Sequence, residues 1–185
     1  RLKVIHNCAD LAAAVVDIRV NGVFPDAGDF FPGYLDDMAF RTSSDFITVD
    51  AETPIEITVN ASTSEDDSSP LFTKTVILAP NTSNIIIAEG IISTSGYVPA
   101  AFDLNLISGA KEGASLGTNT DILFYHGSSD APTFDINELI TPLPLLVEDL
   151  AFRTNDGYTT LTTSDDYLLE VNLANFPIHI DSVQA

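Results

Sequence analysis

The sequence predicts an all-β fold: two immunoglobulin-like Greek-key β-sandwich domains in tandem. Three observations lead there. Short segments rich in Val, Ile, Thr and Phe are interrupted by Pro, Gly, Asn or Asp at the roughly eight-to-twelve-residue spacing of strands and turns. Apolar residues almost nowhere recur at helical spacing. The tetrapeptide Ala-Phe-Arg-Thr occurs twice, at residues 39–42 and 151–154, inside stretches that match without a gap at an offset of 112. One fold has been used twice, and what both copies keep points first to scaffold.

Taken in order, the first copy reads as strands over 2–7, 15–21, 37–41, 45–49, 55–60, 71–78, 84–92 and 102–107. Ile55, Ile57 and Val59 alternate with Glu56 and Thr58, as Tyr167, Leu169 and Val171 do with Leu168 and Glu170, so each run has one buried face. The run Ile85-Ile86-Ile87-Ala88 is apolar without a break, which predicts a strand in the middle of a sheet. Ser64 to Ser69 is a polar hairpin tip, and the Gly-containing stretch 108–120 reads as a hinge. The domains are therefore 1–117 and 118–185. The offset carries Val59 onto Val171 and Asn60 onto Asn172, but counterparts of residues 84–92 would fall beyond Ala185. The second sandwich is expected to be incomplete at its C-terminal end, truncated or completed by another chain, because open sheet edges are normally avoided.

Seven basic against 27 acidic residues give a net charge of −20. Such a field repels phosphate, so nucleic acid and anionic membranes are poor partners. No apolar run approaches the roughly 20 residues that span a bilayer, so no membrane insertion is expected. Cys8, the single cysteine, cannot form an intrachain disulfide, and Ser128 stands in its place in the second copy.

The copies open with His6-Asn7-Cys8-Ala9-Asp10 followed by Val16-Asp17-Ile18, and with His126-Gly127-Ser128-Ser129-Asp130-Ala131-Pro132 followed by Phe134-Asp135-Ile136. These openings resemble the His-Ala-Ser-Pro-Asp-Ala-Pro and Val-Asp-Val start of a bacterial surface-protein family, domain-of-unknown-function family 4397. The second copy matches better; the first carries two extra residues before Asp17. The resemblance implies a β-sandwich module of secreted or cell-surface bacterial proteins, often in tandem, with no enzymatic activity.

His6 with Asp10 and Asp17, and His126 with Asp130 and Asp135, could be drawn as metal or acid-base sets. The structural reading is preferred, because an Asp in a turn accepts backbone N–H bonds and a His at a strand end can brace the same turn. Arg41 and Arg153 each follow a Phe near an acidic pair, Asp36-Asp37 or Glu148-Asp149, and are expected to form structural ion pairs. Glu65-Asp66-Asp67 and Asp165-Asp166 offer oxygen ligands, but no twelve-residue calcium-loop pattern is present. Hydrolase, zinc-protease and phosphate-loop motifs are also missing. No catalytic, cofactor-binding or metal-binding residue is assigned, and no cofactor is expected. The predicted role is a non-enzymatic structural or interaction module of an extracellular or cell-surface bacterial protein. Its partners would be other protein chains or domains of the same parent protein. The alternatives are a homo-oligomeric surface fibre joined by strand complementation, and a calcium- or carbohydrate-binding accessory domain of a secreted protein.

Overall fold

A computed structural model describes residues 1–23, 35–93, 101–139, 144–162, 167–173 and 176–183. The chain is all-β and divides into two compact units, Arg1–Ala110 and Lys111–Ala185, a few residues before the boundary expected near 118.

Unit 1 holds β1 (Leu2–His6), β2 (Val15–Val20), β3 (Met38–Ala39), β4 (Pro54–Ala61), β5 (Phe72–Ile77), β6 (Asn84–Glu89) and β7 (Asp103–Ser108). One sheet runs β3-β2-β4-β5 and the other β1-β6-β7, with β1 and β6 parallel and every other pair antiparallel. Leu2 and Val4 of β1 and Ile86 of β6 are buried in one cluster with Ile18 of β2 and Ile55, Ile57 and Val59 of β4. Two sheets closing on one apolar layer make a β-sandwich. The unbroken apolar run in β6 fits its place as the central strand of its sheet. Where strands were expected over 37–41 and 45–49, only Met38–Ala39 forms one; the second segment touches β1 through a single bridge from Ile47, and Ser43, just before it, makes another.

The outer face of β2 and β4 is also covered. Arg19 is 5% exposed, and its Nη1 donates to Asp67 Oδ1 at 3.2 Å while Nη2 donates to the Ser64 carbonyl at 2.9 Å. Thr58 Oγ1 and Asn60 Nδ2 donate to the same Asp67 oxygen at 2.9 and 2.8 Å. The acidic loop between β4 and β5 is thereby fastened over the sheet, and its charge is spent on a buried guanidinium. Gly22, at φ +77°, brings the turn after β2 close to Asp67; a Cβ there would meet Oδ2 at 3.4 Å.

Unit 2 holds β8 (Asn119–Tyr125), β9 (Phe134–Glu138), β10 (Leu145–Leu150), β11 (Asn155–Thr162), β12 (Tyr167–Leu173) and β13 (Phe176–Val183). Its sheet β10-β9-β12-β13 repeats β3-β2-β4-β5, and the register is the same: Asp17 faces Asn60, and Asp135 faces Asn172. β13 takes the place of β5, a strand that a fixed offset cannot find. Between β4 and β5 lie residues 62–71, whereas only 174–175 separate β12 from β13. The loop and its clamp are absent together, since Asn137 and Glu170 stand where Arg19 and Thr58 pair in the first copy.

β8 corresponds to β1 and pairs with β11 in a two-stranded sheet. No counterpart of β6 or β7 occurs in unit 2 among the described residues. Part of the expected hinge is bonded to β8: Lys111 Nζ and Ser115 N and Oγ all donate to Asp121 Oδ2, at 2.9, 2.8 and 2.7 Å, and Thr160 Oγ1 donates to Oδ1 at 2.6 Å. Thr160, Ser115 and Lys111 together hold the Asp121 carboxyl far below the ordinary carboxylate range. A carboxyl acidified by folding stabilises above its unfolded pKa, and that contribution is lost as pH falls through the carboxylate range.

Removing Asp67 while leaving Arg19 buried should be costly. Asp67→Ala is expected to destabilise unit 1 by about 3 kcal/mol in urea denaturation, and Asp67→Asn, which keeps an acceptor for Thr58 and Asn60, by about half that. Equal effects of the two variants would contradict the clamp.

Candidate functional site

The repeated tetrapeptide is a turn, and its backbone explains the repeat. Thr42 donates to the Ala39 carbonyl from both its N–H, at 3.2 Å, and its Oγ1, at 2.6 Å; Thr154 does the same to Ala151 at 3.0 and 2.7 Å. The third residue of each turn is left-handed, with Arg41 and Arg153 at φ +67° and +66°. The turn then pairs with the strand end carrying the histidine. Arg41 N donates to the His6 carbonyl and His6 N to the Thr42 carbonyl, at 2.8 and 2.9 Å, and the second copy repeats both bonds at 2.8 and 3.2 Å. A second left-handed pair, Asp37 and Asp149 at φ +52° and +50°, presents its N–H groups to Asp17 Oδ1 at 2.9 Å and Asp135 Oδ1 at 2.8 Å.

Both histidines, each 1% exposed, are held by backbone groups. The Cys8 N–H lies 3.3 Å from His6 Nδ1, and the Ala13 carbonyl 2.7 Å from Nε2. A carbonyl can only accept and an amide N–H can only donate, so Nε2 carries the proton and the ring is neutral. His126 has the same pair of partners, Ser128 N at 3.2 Å and the Pro132 carbonyl at 3.1 Å. The two extra residues of the first copy are taken up in a short 3-10 turn, Leu11–Ala13, which still delivers a carbonyl to the ring. Each ring also meets the turn phenylalanine edge-on, Phe40 at 6.2 Å and Phe152 at 6.0 Å. A metal or a transferred proton would need a nitrogen that the fold already uses.

The carboxylates follow the same logic in unit 1. Asp10 accepts from Ala12 N at 3.0 Å and Ser93 N at 2.6 Å. Burial pushes its carboxyl up, but the bonds from Ser93 and Ala12 outweigh it and hold the group below the ordinary value. Asp17 is raised, chiefly by burial, with the charges of Asp36 and Asp37 adding to it and the Asp37 N–H opposing. Burial likewise pushes up the Cys8 thiol, which donates to the Gly90 carbonyl at 3.0 Å; that environment disfavours the reactive thiolate. The counterparts in unit 2 differ: Ser128 and Asp130 are exposed and bonded to each other at 2.7 Å.

The ion pair expected for Arg41 is corrected. Its exposed guanidinium stacks over the ring of Phe40 at 5.1 Å, and Arg153 lies over Phe152 at 4.9 Å. The left-handed turn aims the arginine back onto its own phenylalanine, and this stacking takes the place of the bridge to Asp36-Asp37. Of the acidic clusters, Asp67 is bound to Arg19 and Asp66 accepts from Ser68 N at 2.9 Å, while Asp165-Asp166 lie outside the described residues. No group of three or more His, Cys, Asp or Glu able to hold a metal occurs among the described residues. An open cavity of about 230 Å³ in unit 1, lined by Val20, Asn21, Val23, Thr48, Val49, Asp50 and Ile55, is smaller than a typical small-molecule site.

Sequence reasoning missed the Arg19–Asp67 clamp and the Phe–Arg stacks. A signal for the first was present: an arginine inside the otherwise core-forming Val15–Val20 strand needs a buried partner.

No protein-family model matches the chain, and no curated protein does either.

His6 ties the bracing to pH. Burial lowers its pKa from 6.5, against the opposing bond to Ala13. Above that value both folded and unfolded chains are neutral; below it only the unfolded chain takes up the proton, so stability falls as pH drops. Asp17 acts with the opposite sign, but only near the carboxylate range. The unfolding free energy of unit 1 should therefore decline between roughly pH 6.5 and 5. His6→Phe should abolish that slope and cost about 1–3 kcal/mol for each backbone group left unpaired. A slope that survives the substitution would exclude His6 as its source.

Proposed function

We propose that the chain is a non-enzymatic structural and interaction module, of the stalk, spacer or adhesin kind, in an extracellular or cell-surface bacterial protein. One observation carries the reading: the most chemically capable groups that recur, His6 and His126, have both ring nitrogens committed to backbone partners in the same way. Side chains used to hold turns in two copies are better suited to building a repeated scaffold than to turnover.

Further support comes from the duplication itself and from the charge of −20, which favours solvation and disfavours phosphate-rich partners. No helix among the described residues is long and apolar enough to cross a membrane. The parallel pairing of β1 with the late strand β6, alongside β2 paired with β4 in the facing sheet, supports an immunoglobulin-like Greek-key reading of the unit. The resemblance of the two openings to family 4397 supports the surface location.

Antibodies against the chain should label intact cells of the source bacterium, and protease added outside should remove the signal. Labelling that requires permeabilisation would overturn the surface assignment. Turnover of any substrate that is lost in His6→Gln or His126→Gln, with folding intact, would overturn the non-enzymatic one.

A further inference from the structure

We propose that Asp17 and Asn60 form a proton-operated lock between β2 and β4 of unit 1. In acid the Asp17 carboxyl takes up a proton on Oδ2 and donates it to Asn60 Oδ1. The lock depends neither on where the protein acts nor on what it binds, so its failure would leave the role proposed above standing.

Asn60 is fully buried, and its Oδ1 has no hydrogen-bond partner. A buried acceptor stranded in this way is uncommon and calls for a donor. The other half of the amide fixes which way Oδ1 points. Asn60 Nδ2 donates to Asp67 Oδ1 at 2.8 Å and to Thr58 Oγ1 at 3.1 Å. Turning the amide over would set its oxygen against the Asp67 carboxylate, so Oδ1 stays on the side away from it.

Asp17 is 2% exposed and lies directly opposite Asn60 in the register of β2 and β4, on the same face of the sheet. The β-carbons of such pairs stand about 4.5–5.5 Å apart. β2 has β3 on one side and β4 on the other. Asp17 Oδ1 accepts the Asp37 N–H from the β3 side at 2.9 Å, which leaves Oδ2 for the β4 side. Two oxygens that only accept cannot bond to each other, and a proton on Asp17 makes one of them a donor.

The charges around the pair favour that proton. Asp36 and Asp37 bring negative charge from the β3 side, and Asp67 lies beyond Asn60 in the loop after β4. Arg19, two residues along β2, is the opposing cation, and its guanidinium is directed to Asp67 and the Ser64 carbonyl. Burial, with Asp36 and Asp37, outweighs the Asp37 N–H and Arg19 and raises the Asp17 carboxyl above its ordinary value. A group raised in this way stabilises fully below its unfolded pKa, and the contribution is lost as pH rises through the folded one. The lock is therefore closed in acid and open at neutral pH.

The same residues meet in unit 2, where Asp135 faces Asn172 and Asp149 N donates to Asp135 Oδ1 at 2.8 Å. Asn137 and Glu170 replace the clamp residues there, so the aspartate–asparagine pairing is kept independently of the clamp.

The test follows the side-chain ¹³C carboxyl signal of Asp17 and carboxamide signal of Asn60 in labelled full chain as pH is lowered from neutral through the carboxylate range. Both should move together, with one midpoint above the ordinary aspartate value of about 3.9. In Asp17→Asn the donor is permanent. Its urea midpoint for unit 1 should exceed that of the unaltered chain at pH 7, and the advantage should shrink as the pH falls. An Asp17 midpoint at or below the ordinary value, an Asn60 signal that does not follow it, or an Asp17→Asn chain less stable at pH 7 would overturn the proposal. An Asn60 signal that moves with added calcium chloride at constant pH would also overturn it, assigning the oxygen to a cation.

Discussion

A neutral imidazole between two backbone groups is the contact on which each unit's architecture turns. His6 and His126 sit where the first strand of the unit leaves its sheet, and each ring joins the amide two residues on to a carbonyl at the end of the following loop. The backbone of the same residue receives the Ala-Phe-Arg-Thr turn. One residue thus fixes the strand, the loop beyond it and the turn that brings the chain back. Satisfying buried amides and carbonyls inside the fold avoids the penalty of stranding them, about 1–3 kcal/mol each.

The left-handed positions belong to this arrangement. Among the described residues, four of the seven non-glycine residues with positive φ are two repeated pairs, Asp37 with Asp149 and Arg41 with Arg153. Aspartate tolerates that conformation and arginine does so less readily, at a cost on the order of 1 kcal/mol. Two bonds offset it in each copy: the arginine N–H reaches the histidine carbonyl, and its guanidinium covers the phenylalanine. The tetrapeptide recurs because its hydroxyl, its left-handed backbone and its aromatic ring all take part in one turn.

The apolar faces of β4 and β12 and the central place of β6 were legible in the sequence, because alternation and an unbroken apolar run follow directly from burial, whereas the burial of Thr58 and Asn60 on the other face of β4 was not. The turn was read as a strand, since nothing in Phe40-Arg41 announces a positive φ as glycine would. β13 was hidden because a shortened loop broke the offset of 112 that carries residues 39–60 onto 151–172. The Arg19 clamp depends on a loop 48 residues away folding back over the sheet, a tertiary fact without local periodicity. For the histidines, the sequence located the residues and suggested turn bracing; their tautomer and partners required the backbone geometry.

Both histidines are committed to backbone bonds in one defined tautomer. Long-range proton–nitrogen correlation of ¹⁵N-labelled full-length chain at pH 7.5 tests it most directly. The expected result, for His6 and His126 alike, is a protonated Nε2 and an unprotonated Nδ1, with the Nε2 proton slow to exchange. A protonated Nδ1, or rings averaging rapidly between tautomers, would contradict it and return both residues to the pool of groups free for chemistry.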